Sequence, residues 1–187
     1  MNRKIFAFLL LICQSSEACL TSCDPGFVTI QRTPTAANKC TRRFCLKIAN
    51  SSDALSHSDA EDLCSKDGEK LAMFESLDEQ NLFSEYLQPN VHIRIDGVRR
   101  TECILPEDLK DTEKCSPQTA FIALNAGTDP TFTFNNWSDN DPNHDYVNID
   151  EQCLILRNGR GTNDISCNAT PNTQFATYMA LCGKFPN

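Results

Sequence analysis

The sequence predicts an α+β fold stapled by disulfides. Three observations carry that expectation: two helical patterns lie in the first half, only short strand-like runs follow Pro89, and eleven cysteines punctuate 187 residues. Helices first and strands afterwards argue against alternating βα units and a doubly wound sheet. No internal repeat or low-complexity tract interrupts the pattern.

The first element is not part of that fold. In "MNRKIFAFLLLICQSSEAC", Arg3 and Lys4 form a basic start, Ile5 to Cys13 an apolar run, and Ser16-Glu17-Ala18 a small-residue cleavage site. That layout predicts a secretory signal over residues 1–18. Nine apolar residues span roughly 14 Å as helix, about half a bilayer, which argues against a membrane anchor. Cleavage after Ala18 removes Cys13 and leaves an even set of ten cysteines, as full pairing in an oxidising compartment requires. Asn50, Asn136 and Asn168 each open a glycosylation sequon, in keeping with secretion. The remaining chain is long enough for one domain with a real core.

Residues 19–45 hold Cys19, Cys23, Cys40 and Cys45 with two prolines, and predict a stapled arm or hairpin before a domain over 46–187. Four cysteines allow three connectivities, and their order does not choose among them. "SHSDAEDLCSKDG" predicts a helix: Ser56 caps with Asp59, Ala60, Leu63 and Cys64 share one face, and Gly68 stops it. "EKLAMF" predicts a short strand. "SLDEQNLFSEYLQP" repeats the cap with Ser76 and Glu79, and predicts an apolar face of Leu82, Tyr86 and Leu87 ending at Pro89. "VHIRIDGV" alternates like a half-buried strand. "CILPEDLKDTEKC" is a polar insert whose ends, Cys103 and Cys115, are spaced for a local bridge. "AFIAL", "TFTF", "CLILR" and "YMALCGK" complete the predicted strands.

The formal net charge of −8 becomes −9 once Arg3, Lys4 and Glu17 leave with the signal. That balance argues against nucleic acid or an anionic membrane as partner and suits cations. No HExxH or nucleophile elbow occurs, and His57, His92 and His144 lack metal-ligand spacing, so no catalytic residues are assigned and an enzyme is not expected.

The chemistry concentrates between Asn135 and Cys153. Five acids and five asparagines fall in these nineteen positions, too polar for a core strand. An EF-hand register through Asp139, Asp141, Asn143 and Asp145 fails: His144 stands where the loop needs Gly, and Asp150 where it needs Glu. A two-part site fits better. Asp141, Asn143 and Glu151 from this stretch, with Asn163 and Asp164 from "GTNDISC", offer three carboxylates and two amides to a Ca²⁺ ion that wants six to eight oxygens.

With these motifs the chain resembles a C-type lectin domain over roughly residues 23–185. Asp141-Pro142-Asn143 sits where the family has Glu-Pro-Asn, Glu151 precedes Cys153 as the family's acidic ligand does, and Asn163-Asp164 matches its Trp-Asn-Asp motif. The resemblance implies a fold of two helices, small antiparallel sheets and a long Ca²⁺-binding loop region. It implies Cys64–Cys182 and Cys153–Cys167 bridges, a cis peptide before Pro142, and one Ca²⁺ held by Asp141, Asn143, Glu151, Asn163 and Asp164. The same five residues would contact sugar, with carboxylates accepting from its hydroxyls and amides donating to them. The acid-then-amide order at 141 and 143 resembles mannose-type sites. The implied function is a secreted, calcium-dependent glycan-binding protein acting in innate recognition. The competing expectation is a lectin-fold module that binds protein ligands, favoured by two departures: Asp141 is one methylene shorter than Glu, and Thr162 replaces the motif's Trp. Trp137 is expected as a core anchor, and Asp139, Asp145 and Asp150 as solvated charges.

Overall fold

The computed structural model describes residues 22–66, 68–105, 107–125, 127–143, 151–157, 161–171 and 175–186. The expected signal, Cys19, His144, Asp145 and Asp150 lie outside them. Among the described residues no helix is long and apolar enough to cross a membrane.

One mixed sheet organises the chain. Its main path runs β1 (Val28–Gln31), β2 (Arg43–Asn50), β8 (Met179–Lys184), β4 (His92–Arg99), β6 (Cys153–Arg157), β7 (Thr162–Ile165). β3 (Lys70–Leu71) adds to β8, and β5 (Phe121–Ile122) to β4. Among the described strands, β4 and β8 are the pair that runs parallel. The hairpin β1–β2 is closed by Cys23–Cys45, and β2 then pairs with β8 from Cys45↔Lys184 to Asn50↔Met179. The arm is therefore the edge of the same sheet, and β2 runs straight through residues 45 and 46.

The first helix, α1 (His57–Ser65), forms as its residues dictate. Ser56 and Asp59 make a reciprocal capping box, and Ala60 and Cys64 are buried against β8. Cys64–Cys182 ties that face to the strand across 118 residues of sequence. Cys103–Cys115 closes the polar insert, and Cys153–Cys167 joins the start of β6 to the residues after β7. Cys40 is disulfide-bonded too.

Three local expectations need correction. The second helix, α2 (Leu77–Asn81), lasts only five residues before a 3₁₀ turn at Ser84–Tyr86. Its predicted face holds only in part: Tyr86 and Leu87 pack half-buried on the core, but Leu82 is 57% exposed, while Glu79, Gln80 and Phe83 are buried. Arg32 is the cause, because its guanidinium grips both Glu79 oxygens at 2.9 Å and rotates the polar side inward. "TFTF" forms a short helix, α3 (Thr131–Asn135), whose Thr133 hydroxyl donates to the Phe74 carbonyl. β4 is not half-buried but covered on both faces, carrying Arg94 and Asp96 inside. Arg94 is fully enclosed and donates to the carbonyls of Leu55, Ser166 and Asn168, so burial is offset by hydrogen bonds rather than by a contacting carboxylate. Burial still draws it down to about 10. The apolar core lies beneath this sheet, built from Leu46, Met73, Phe74, Ile93, Ile95, Phe121, Leu154 and Leu181.

Candidate functional site

The expected site residues gather at one end of β4, β6 and β7. "TNDI" is a buried strand rather than a loop: Asn163 pairs with Ile155 and Asp164 with Leu154, and both are at most 4% exposed. Thr162 is buried beside them. Its hydroxyl donates to the Thr133 carbonyl, and its N–H to the Asn136 carbonyl. Trp137 donates its indole N–H to the Phe134 carbonyl and packs on Phe121, the core-anchor role expected of it.

The stretch around Asp141 folds onto this strand. The Asp141–Pro142 peptide is cis. The Asn143 N–H donates to Asp164 Oδ1 at 3.2 Å, which joins the two halves of the expected site. Asn143 itself is exposed, whereas the Asp141 side chain is only 2% accessible. Glu151 is half-buried just before β6, close enough for its charge to act on Asp141. Asp139 is exposed, as a solvated charge should be.

Charge balance within the site is uneven. Asp141 Oδ2 and Asn163 Oδ1 are buried acceptor oxygens that meet no hydrogen-bond donor among the described residues. Asp141 is pushed up to about 7, first by burial and then by the Asp164 charge, with Arg157 opposing at 3.8 Å. Asp164 has a different environment. Its Oδ2 receives the Arg99 Nη2 at 2.6 Å, both side chains being essentially inaccessible. Arg99 also donates through Nε to the Glu151 carbonyl and lies over the Phe121 ring, 4.5 Å from its centre. Burial pulls the Arg99 guanidinium down, and Asp164 and Glu151 hold it up.

Asp141 Oδ2 on the acidic stretch and Asn163 Oδ1 on β7 are buried carboxylate and amide oxygens of the kind a hard cation takes. Asp164, however, already has a positive partner. Among the described residues, no three Asp, Glu, His or Cys side chains converge closely enough to hold a metal by themselves. Amide and backbone oxygens would have to complete any shell. Arg99 and Arg157 are the site residues that sequence reasoning missed. The available signal was positional: each is an arginine at the end of a predicted strand.

Comparisons with known proteins agree with this fold. The family described as C-type lectin domain-containing protein 141/158 matches residues 29–185. C-type lectin domain-containing protein 158 of Caenorhabditis elegans is 28% identical, over 98% of both chains. The C-type carbohydrate-recognition domain of cow CD23, solved in the presence of a GlcNAc2Man3 oligosaccharide, superposes with a TM-score of 0.57 at 14% identity, covering 89% of this chain and 98% of that one. A calcium-independent type II antifreeze protein superposes with 0.55 at 16% identity, covering 89% and 97%. At such identities the two structures speak for the fold alone.

Proposed function

The chain belongs to the C-type lectin domain family, and from that premise we propose a secreted glycan-binding protein whose sugar site is built around one calcium ion. The observation that carries this is the pair of buried, donor-free oxygens, Asp141 Oδ2 and Asn163 Oδ1. Buried polar atoms are nearly always partnered, and a divalent cation partners acceptors that no donor reaches. Asn143 and Glu151 stand at the rim to complete the shell. Bound calcium supplies a charge to which sugar hydroxyls can add. The chain's own part is to hold the hydroxyls: carboxylates accept hydrogen bonds from them, and the exposed Asn143 amide donates. The acid-then-amide order supports a mannose-type preference. Secretion is supported by the residue 1–18 pattern and by the disulfide framework. A binding role, not catalysis, is the ordinary one for this family.

A glycan array probed in calcium and again in EDTA tests the proposal. Retention on mannose-type glycans in calcium alone is the expected result, and Asp141→Asn should lose it. Binding of calcium with no glycan retained in either buffer would refute the sugar role. A second reading, a module that binds protein without metal, is favoured by one observation: Arg99 already neutralises Asp164. Undiminished binding to a protein ligand in EDTA would establish it.

A further inference from the structure

The Arg99 guanidinium is held from three sides. Nη2 donates to Asp164 Oδ2 at 2.6 Å, Nε donates to the Glu151 carbonyl at 3.1 Å, and its plane lies over Phe121. The Arg99 backbone is anchored as well, its N–H donating to the Gln152 carbonyl at 2.7 Å. These contacts reach both halves of the site: Glu151 leads into β6, and Asp164 in turn accepts the Asn143 N–H at 3.2 Å. One buried cation therefore bridges the acidic stretch and β7 without any metal. A planar fork with donors on several edges suits this task, whereas an ammonium could not meet the carboxylate and the carbonyl in the same way.

We propose that Arg99 is a resident cation of the site, a positioning residue that assembles it in the absence of calcium and lowers its affinity for the ion. The inference rests on the calcium reading above for its second half only. Arg99 holds Asp164 Oδ2 in an ion pair of its own and places a unit positive charge beside the other ligand candidates, where repulsion of a divalent ion is strong because both side chains are shielded from water. The oxygens of Asp141, Asn143, Glu151 and Asn163 would be left to hold calcium, and the bound ion would add little to the stability of the loop.

The test uses the oxidised, secreted protein and two variants, Arg99→Gln and Arg99→Lys. Calcium affinity is measured by isothermal titration, and the melting temperature in EDTA and in millimolar calcium. Wild type should melt within about 2 °C in the two buffers, since a weakly held ion contributes little linkage stability. Arg99→Gln should bind calcium about tenfold more tightly or better, melt lower in EDTA, and recover in calcium. Arg99→Lys keeps the charge and should keep the weak affinity while losing stability in EDTA. A wild type stabilised by more than about 5 °C in calcium, or an Arg99→Gln that binds the ion no better than wild type, overturns the proposal. Should Arg99→Gln fail to fold, the wild-type melting difference and the Arg99→Lys affinity decide it alone. Failure of the sugar role looks different: calcium affinities follow the expected order, yet no glycan is retained.

Discussion

Replacing Asp164 by alanine should unsettle the protein before any ligand is added. Its carboxylate and the Arg99 guanidinium are 0% and 1% exposed and meet at 2.6 Å. Removing one member of a buried ion pair leaves the other charge without compensation, a loss of about 3–5 kcal/mol. The Asn143 N–H also loses its acceptor, which adds about 1 kcal/mol. For a chain of this size each kcal/mol moves the melting temperature by about 2–4 °C, so a fall of roughly 8–24 °C is expected. The assay is thermal unfolding followed by circular dichroism, under non-reducing conditions and in EDTA, so that bound metal cannot contribute. Asp139→Ala is the control, because it removes an exposed charge and should stay within about 0.5 kcal/mol of wild type. The double variant Arg99→Met/Asp164→Leu should regain most of the loss, since no charge remains buried, and the cycle should show at least ~2 kcal/mol of coupling. An Asp164→Ala melting point indistinguishable from that of Asp139→Ala would refute the argument.

Acid stability should report His57, which is buried with neither ring nitrogen hydrogen-bonded among the described residues and is pulled down to about 4 from 6.5, mainly by burial. Its folded value is depressed, so its contribution is intact above pH 6.5 and lost as pH falls towards 4. That amounts to ~3 kcal/mol at most, and a His57→Gln variant should show a flatter stability profile between these limits. Calcium affinity should weaken as pH drops from 8 to 6, because Asp141, raised to about 7, must lose its proton to serve the ion. Titrations in buffers of different ionisation enthalpy should detect the released proton. Gly161→Ala should destabilise the junction of β7 with Trp137 by about 2 kcal/mol or more. Its φ is +111°, and an added Cβ would collide with the Asn136 carbonyl oxygen, which a thermal melt would register. Peptide mapping of secreted protein should find glycan on the exposed Asn50 and Asn168. The half-buried Asn136, whose amide lies 3.5 Å from Gln80 Oε1, should remain bare.

Some of this molecule was legible from residues alone because the relevant physics is local or carried by spaced motifs. The Ser56–Asp59 capping box is a matter of four neighbouring residues. The Cys103–Cys115 bridge spans only twelve. The Cys64–Cys182 and Cys153–Cys167 bridges and the cis bond before Pro142 followed from motif resemblance, and the structure contains all three. What periodicity could not decide was which faces are covered. Glu79 turns inward because Arg32, 47 residues earlier in sequence, meets it there. Arg94 of β4 is enclosed because the carbonyls of Leu55, Ser166 and Asn168 meet it from far along the chain on either side. The site divides in the same way. Its five ligand candidates are residue types that advertise themselves, acids and amides in two clusters. The charge that sits among them, Arg99, comes 65 residues before Asp164, and only the tertiary fold brings the two into contact. Side-chain chemistry is written in sequence, but the potential at a buried site is a sum over neighbours in space, and that sum exists only once the chain has closed.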